Sequence, residues 1–187
     1  MLILASKSPR RAKILAAAGL DFEVRPTAAE EISVPGDPEL TVRTNALNKF
    51  RACNVGGAPV LAADTIVWFD GKIYGKPRDL AEAAQMLREL GGNTHVVYTG
   101  VAVGWPGEEK TLVVKSEVTF RPLSETDIAE YVALARPLDR AGAYDIDDHG
   151  EQLVAAYTGG YENIMGLPLE AVELARSLVC NPAPDRG

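Results

Sequence analysis

Three cations and two hydroxyls lie close together near the start of the chain. They are Ser6, Lys7, Ser8, Arg10 and Arg11. Pro9 suits the first position of a helix and Ser8 its N-cap, so the cations lie where the helix macrodipole is already positive. This placement is unfavourable unless an anion binds, and free N–H groups, hydroxyls and a guanidinium together can hold a phosphate. We predict a phosphate-binding turn here, in preference to arginines that only extend into solvent.

A carboxylate interrupts the most apolar stretch of the chain. Asp64 lies within Val60 to Phe69, which otherwise has the composition of a buried strand. A buried carboxylate costs several kcal/mol unless it is hydrogen-bonded, paired or bound to a metal, and acids in such positions are often functional. An Asp at a solvated strand end is disfavoured because apolar residues continue on both sides. Asp64 is therefore a candidate functional acid.

A hairpin is predicted to bring a lysine back towards Asp64. Asp70-Gly71 is a strong signal for a type I′ turn, and in that register Thr65 lies opposite Lys76. Residues on adjacent positions of a strand point to opposite faces, so this pairing predicts proximity of Lys76 to Asp64 and no direct contact.

A second lysine lies on the apolar face of a helix expected from about Glu39 to Asn54. Lys49 projects into the stripe that Val42, Ala46 and Phe50 form at helical spacing. An ammonium on a buried face needs a partner. Two alternatives remain open, a side chain that extends past the edge of the stripe and one that reaches an internal phosphate or carboxylate.

Two adjacent acids follow a short strand that ends at Pro26. Either of Glu30 and Glu31 could be solvated, and because their loop lies near the predicted phosphate-binding turn, one of them is a candidate metal ligand. Further along, residues 139–148 form a loop rich in glycine and acid, of the kind that often contacts ligands.

Composition favours one globular domain. The 187 residues are 47% hydrophobic and 24% charged, and we assign 1–180 to one domain and 181–187 to a flexible tail. The net charge of −7 and the absence of a long basic run argue against nucleic acid as a partner. No apolar run reaches membrane-spanning length and no signal-peptide pattern is present, so we expect no membrane association and a cytoplasmic location.

Several motifs occur in a fixed order along the chain. They are Ser6-Lys7-Ser8-Pro9-Arg10-Arg11, Glu30-Glu31, Ala63-Asp64-Thr65, Gly75-Lys76-Pro77, Ala141-Gly142-Ala143-Tyr144 and Met165-Gly166-Leu167-Pro168. In this order they resemble the Maf family of nucleoside triphosphate pyrophosphatases, and the likeness extends from about Leu2 to Val179. The resemblance implies an α/β fold with a mixed twisted sheet flanked by helices and two lobes around a central cleft, as in the inosine triphosphate pyrophosphatase superfamily.

The resemblance also implies an activity and a set of site residues. Maf proteins cleave a nucleoside triphosphate to the monophosphate and pyrophosphate, usually with Mg²⁺ or Mn²⁺ and commonly as homodimers. The implied phosphate ligands are Ser6, Ser8, Arg11, Lys49 and Lys76. The implied metal ligands are Glu31 and Asp64, and Asp64 is also the implied proton acceptor for the attacking water.

Three positions distinguish branches of the family. Arg10 and Thr65 match the branch that resembles dTTP/UTP pyrophosphatases, whereas the 7-methyl-GTP branch tends to have a bulky aromatic residue and Gln there. At Asp147 the first branch usually has Gln and the second Glu, so this chain departs from the pyrimidine pattern. An ionised carboxylate only accepts hydrogen bonds, whereas a Gln amide also donates. Two positions against one favour dTTP/UTP, with 7-methyl-GTP as the alternative.

A role without required catalysis is the other alternative. The family name comes from septum formation, so the chain could regulate cell division through a protein partner. As an enzyme it would instead serve a house-cleaning role in nucleotide metabolism.

Overall fold

The computed structural model describes residues 1–53 and 55–180. The predicted tail, 181–187, and Asn54, the predicted end of the second helix, lie outside the described residues. The strands are β1 (Leu2–Leu4), β2 (Phe22–Val24), β3 (Val60–Phe69), β4 (Lys72–Tyr74), β5 (Thr94–Trp105), β6 (Glu108–Phe120) and β7 (Val154–Thr158). The helices are α1 (Pro9–Ala17), α2 (Pro38–Ala52), α3 (Leu80–Leu90), α4 (Glu125–Ala135), α5 (Tyr161–Met165) and α6 (Leu169–Cys180), with 3₁₀ turns at Ala141–Ala143 and Gly150–Gln152.

The strands form one seven-stranded mixed sheet. Its order is β2-β1-β3-β5-β6-β7, and β4 pairs with β3 outside that path. The strand β1 runs parallel to both β2 and β3, and every other pairing is antiparallel. The predicted α/β class with a mixed sheet flanked by helices is confirmed.

The hairpin between β3 and β4 has the predicted register. Both turn residues have positive φ, 46° at Asp70 and 76° at Gly71, as a type I′ turn requires. The ladder ends at the pair Val67 and Tyr74. Thr65 is therefore not paired with Lys76, and β3 instead continues along β5, where Asp64 lies opposite Gly100.

The helix α2 packs directly against β5 at that point. A side chain on Gly100 would place its Cβ 2.3 Å from the carbonyl oxygen of Val42, so this approach requires glycine. The predicted apolar stripe is buried, with Val42 and Ala46 at 0% exposure and Phe50 at 3%. Each large apolar side chain buried in this way contributes about 1.5–3 kcal/mol. The stripe therefore fixes α2 across the strand that carries Asp64.

A cavity of about 790 Å³ opens above this part of the sheet. Its wall includes apolar residues from three core clusters, among them Val67 and Tyr144 from one, Met165 from the second and Ala5 from the third. This cavity corresponds to the predicted cleft. Within residues 1–53 and 55–180, no helix combines the length and apolar character that a membrane crossing requires.

Candidate active site

The turn between β1 and α1 lines the cavity with hydroxyl groups. Ser8 occupies the N-cap position of α1, but its side chain makes no capping hydrogen bond, and the first helical turn contains no acidic residue. The Ser6 hydroxyl oxygen accepts hydrogen bonds from the Ser8 backbone N–H at 3.2 Å and from Arg11 Nη1 at 2.9 Å. Since Ser6 acts as acceptor in both bonds, its own proton is left for another acceptor. The turn therefore offers hydroxyl donors at a positive helix end.

Arg11 is buried behind this turn. Besides the bond to Ser6, its Nε donates to the Gly166 carbonyl at 2.8 Å and its Nη2 to Thr65 Oγ1 at 3.1 Å. Burial lowers the pKa of Arg11 to about 10, although the charge of Asp64 acts to raise it, so the guanidinium stays charged at neutral pH. Sequence reasoning predicted a bound phosphate for this cation and no partners within the chain. The fold supplies three internal acceptors and leaves two of its five N–H groups for a ligand.

A chain of hydroxyls leads away from Arg11. Thr65 Oγ1 lies 3.0 Å from Thr99 Oγ1, and the Thr99 hydroxyl donates to the Asn163 carbonyl at 3.1 Å. Because the single proton of Thr99 is used there, Thr65 must donate to Thr99 while it accepts from Arg11. Thr65 therefore faces the cavity as a hydrogen-bond acceptor.

Asp64 on β3 meets two polar side chains of α2. Its Oδ1 accepts from Lys49 Nζ at 2.6 Å and its Oδ2 from Asn45 Nδ2 at 3.0 Å. Lys49 Nζ also lies 2.7 Å from Glu31 Oε1. Of the two alternatives for Lys49, the structure shows the second, in which the ammonium reaches internal carboxylates. One ammonium thus holds two acids together.

The structure also separates the two adjacent acids. Glu31 lines the cavity, whereas Glu30 is exposed and is not among the lining residues. Partial burial raises the pKa of Glu31, but the hydrogen bond and charge of Lys49 together with the charges of Lys76 and Arg11 more than offset it and lower that pKa overall. Lys76 is exposed and lines the same cavity as Asp64, in agreement with the predicted proximity. Lys76 forms no ion pair with another residue that the structure describes.

Sequence reasoning missed Asn45. Its side chain accepts from the Ile32 N–H at 2.8 Å and donates to the Ile32 carbonyl at 2.9 Å, which ties the loop carrying Glu31 to α2. Asn45 lies one helical turn before Lys49 and is 3% exposed. A polar residue at that spacing on a buried helix face was the available signal.

The structure does not bring Asp147 to the cavity. Asp147 is exposed, forms an ion pair with Lys13 and accepts a hydrogen bond from Tyr161 at 3.2 Å. The acid that lines the cavity from this loop is Asp145, whose Oδ2 lies 2.8 Å from Arg140 Nε. It also lies 3.4 Å from Nη1 of Arg10, another cavity residue. The acidic composition of the loop pointed to the segment and not to the residue.

The chemistry of the acids suits a hard divalent cation. Among the described residues, no three His, Cys, Asp or Glu side chains are grouped to hold a metal. Glu31 and Asp64 do approach one common cationic centre, the ammonium of Lys49. Mg²⁺ is often held by one or two carboxylates and completes its shell with substrate phosphates and water. The donor set therefore fits Mg²⁺ or Mn²⁺ bound together with a phosphorylated ligand.

The chain is similar to several known proteins. A family model described as Maf-like protein matches residues 1–177. The dTTP/UTP pyrophosphatase of Lacticaseibacillus casei is 45% identical over 186 residues, which cover 97% of this chain and all of that protein. The dTTP/UTP pyrophosphatase of Moorella thermoacetica is 46% identical over 92% of this chain and 91% of that protein. Among solved structures, the Staphylococcus aureus Ham1 protein matches with a TM-score of 0.48 and 14% identity, over 80% of this chain and 89% of that chain.

Proposed function

The chain belongs to the Maf-like protein family, and from that membership we propose that it hydrolyses nucleoside triphosphates to the monophosphate and pyrophosphate, with dTTP and UTP preferred. One observation carries the proposal. The buried carboxylate of Asp64 shares an ammonium with Glu31 in the same cavity that the hydroxyl-rich turn at Ser6 lines. Such a site can hold a polyphosphate beside an acid that activates water.

Hydroxyls and cations of the chain bind the phosphates in this proposal. They are Ser6, Ser8, Arg11, Lys49 and Lys76. A triphosphate brings about four negative charges, so their neutralisation and positioning supply most of the barrier lowering. Arg11 contributes a charge that the fold fixes in place, whereas Lys76 is exposed and adjusts to the ligand. Lys49 turns from the carboxylates towards the phosphates as the nucleotide enters.

Asp64 is the proton acceptor in this proposal. Asn45 and Lys49 each donate to one of its oxygens in the structure, and Asn45 continues to hold the carboxylate when Lys49 turns to the phosphates. Asp64 takes a proton from water as the water oxygen attacks the α-phosphorus. The bond from that phosphorus to the β-phosphate oxygen breaks, and pyrophosphate leaves with the electron pair. A divalent cation held by Glu31 and Asp64 would add positive charge next to the phosphate oxygens.

Arg10 and Thr65 discriminate the base in this proposal. Arg10 only donates hydrogen bonds, and the hydroxyl chain makes Thr65 an acceptor towards a ligand. Uracil and thymine present two carbonyl oxygens and one ring N–H, which complement this pair. Asp147 is the third position proposed to discriminate the base, and in the structure it pairs with Lys13 outside the cavity wall.

A nucleotide panel tests the proposal. Purified protein is incubated with dTTP, UTP, CTP, GTP and 7-methyl-GTP in Mg²⁺, Mn²⁺ or EDTA, and pyrophosphate and orthophosphate are measured separately. We expect pyrophosphate from dTTP and UTP with either cation, and none in EDTA. Orthophosphate as the first product would place cleavage at the γ-phosphorus, and no product from any nucleotide would leave a regulatory role as the better account. We further propose a homodimer, which sedimentation velocity tests.

A further inference from the structure

We propose that Asp145 determines substrate specificity by positioning Arg10. Asp145 holds the Arg10 guanidinium in a position from which it donates hydrogen bonds to carbonyl oxygens of the base. It thereby prevents Arg10 from binding the phosphates. The inference rests on the proposed function and concerns a residue two positions away from the one that the family pattern suggested.

The carboxylate of Asp145 is fixed on every side. Its side chain is 6% exposed, and its Oδ2 contacts Arg140 Nε at 2.8 Å and Arg10 Nη1 at 3.4 Å. Its Oδ1 accepts from the Asp147 backbone N–H at 3.0 Å, and its own backbone N–H donates to the Tyr131 hydroxyl at 3.0 Å. A buried acid with this many partners is a rigid anchor for a cation.

Arg10 needs such an anchor because of its position on α1. It lies in the first helical turn between Ser8 and Arg11, beside the groups proposed to bind the triphosphate. An uncompensated guanidinium there would turn to the phosphates, which carry far more charge than any base. Asp145 offsets that charge, and Arg10 contacts it through Nη1 alone, so the remaining N–H donors stay available for a ligand.

The segment that carries Asp145 also supplies an apolar surface to the cavity. Ala141 and Tyr144 line the wall, and the turn between them packs on β3, where Cβ on Gly142 would come within 2.8 Å of Val67. An apolar surface next to an anchored donor suits a planar base better than it suits a phosphate.

The chemistry of Arg10 predicts which bases are distinguished. A guanidinium has donors only, so it favours the 4-carbonyl of uracil or thymine and disfavours the 4-amino group of cytosine. UTP and CTP differ on the base at that position and at the adjacent N3, which carries a proton in uracil and is an acceptor in cytosine. Their ratio of kcat/KM therefore reports on the orientation of Arg10.

The test compares this ratio in wild type, Asp145→Asn, Asp147→Asn and Asp148→Asn. Asparagine keeps the size of Asp145 and removes its charge. We expect Asp145→Asn to reduce the ratio of kcat/KM for UTP to that for CTP about tenfold, because one charge-assisted hydrogen bond to the base is lost. The KM for CTP should stay level or fall, because the released Arg10 binds phosphate. Asp148→Asn, an exposed acid in the same loop, should leave the ratio unchanged.

The outcomes separate this inference from the proposed function. If the wild type cleaves no nucleotide, the proposed function fails. If it cleaves UTP and soluble Asp145→Asn keeps the wild-type ratio, or if only Asp147→Asn changes it, the role of Asp145 is overturned. A parallel loss of kcat for both nucleotides with a lower melting temperature would assign Asp145 a structural role instead. If Asp145→Asn is insoluble, Arg10→Gln replaces it, and an unchanged ratio in that variant overturns the inference.

Discussion

Two charged clusters contribute side chains to the wall of the same cavity and differ in arrangement. The Lys49 cluster is Lys49, Glu31 and Asp64, and the Asp145 cluster is Asp145, Arg10 and Arg140. In the first, two carboxylates share one ammonium. In the second, two guanidinium groups share the carboxylate of Asp145, and Arg140 also pairs with Asp139. The first cluster has surplus negative charge and can accept a cation, whereas in the second the charges of the guanidinium groups are balanced by carboxylates and Arg10 keeps N–H donors for ligand oxygens.

The clusters also differ in how rigidly the fold holds them. The side chain of Glu31 is 52% exposed on a loop, whereas that of Asp145 is 6% exposed. An exposed partner can move with little loss of free energy because water replaces its contacts. The Lys49 cluster is therefore suited to rearrange when a substrate binds, and the Asp145 cluster is suited to stay in place while a base is read.

Asp64→Asn should have the largest effect, within the Lys49 cluster. The amide keeps the size of the side chain and cannot take a proton, so we expect kcat to fall about 10²–10⁴-fold with the fold retained. Pyrophosphate release measures the rate, and circular dichroism with thermal melting measures the fold. Glu30→Gln is the matched control, an exposed acid outside the cavity wall that should keep activity. A folded and active Asp64→Asn protein would remove Asp64 as the base.

The pH dependence of stability probes the surroundings of the Asp145 cluster. Burial lowers the pKa of His95, which hydrogen-bonds Tyr144 at 2.9 Å, to about 4. Between pH 6.5 and 4 the unfolded chain therefore binds a proton that the folded chain does not, and stability falls as the pH falls. The loss attributable to His95 should reach about 3 kcal/mol at pH 4.

Urea unfolding at a series of pH values tests the contribution of His95. His95→Phe cannot titrate, so its unfolding free energy should decline less than that of the wild type over this range. Identical slopes in the two proteins would show that His95 does not titrate as its burial implies.

Gly100→Ala should damage the Lys49 cluster selectively. The added Cβ meets the Val42 carbonyl at 2.3 Å, so α2 must move away from β5 and carry Lys49 with it. Overpacking of this kind costs about 1–3 kcal/mol. We expect lower stability and slower turnover with an unchanged UTP to CTP ratio. Gly56→Ala, where an added Cβ meets nothing within 4 Å, is the control. A changed ratio in Gly100→Ala would mean that the clusters are coupled.

Lys49→Met should have a smaller effect on stability that depends on metal. It leaves two acids facing each other, and we expect a loss of about 1–2 kcal/mol in EDTA, below the value for a fully buried pair because Glu31 is half exposed. Added Mn²⁺ should restore the melting temperature. Arg140→Met removes a cation from the Asp145 cluster but leaves Asp145 paired with Arg10, so this variant should gain nothing from Mn²⁺. Equal responses of the two variants would contradict the assignment of the metal to the Lys49 cluster.

Several features of the fold and site could be predicted from local sequence. The hairpin register followed from Asp70-Gly71, and the buried stripe of α2 followed from helical spacing. The cost of burying one charge predicted that Asp64 is a functional acid and that Lys49 needs a partner. Each of these inferences depends on neighbours within a few positions or on a single side chain, which is information the sequence contains.

The remaining features depended on contacts between distant segments. Arg10 meets Asp145 across 135 positions, and Arg11 meets Gly166 across 155. No local pattern encodes such contacts, so sequence reasoning predicted a bound phosphate for these arginines and could not identify their partners within the chain. The sequence alone determined that buried charges would need partners. Only the tertiary structure decided which partners they have, because the packing of helices and loops on the sheet sets which side chains meet.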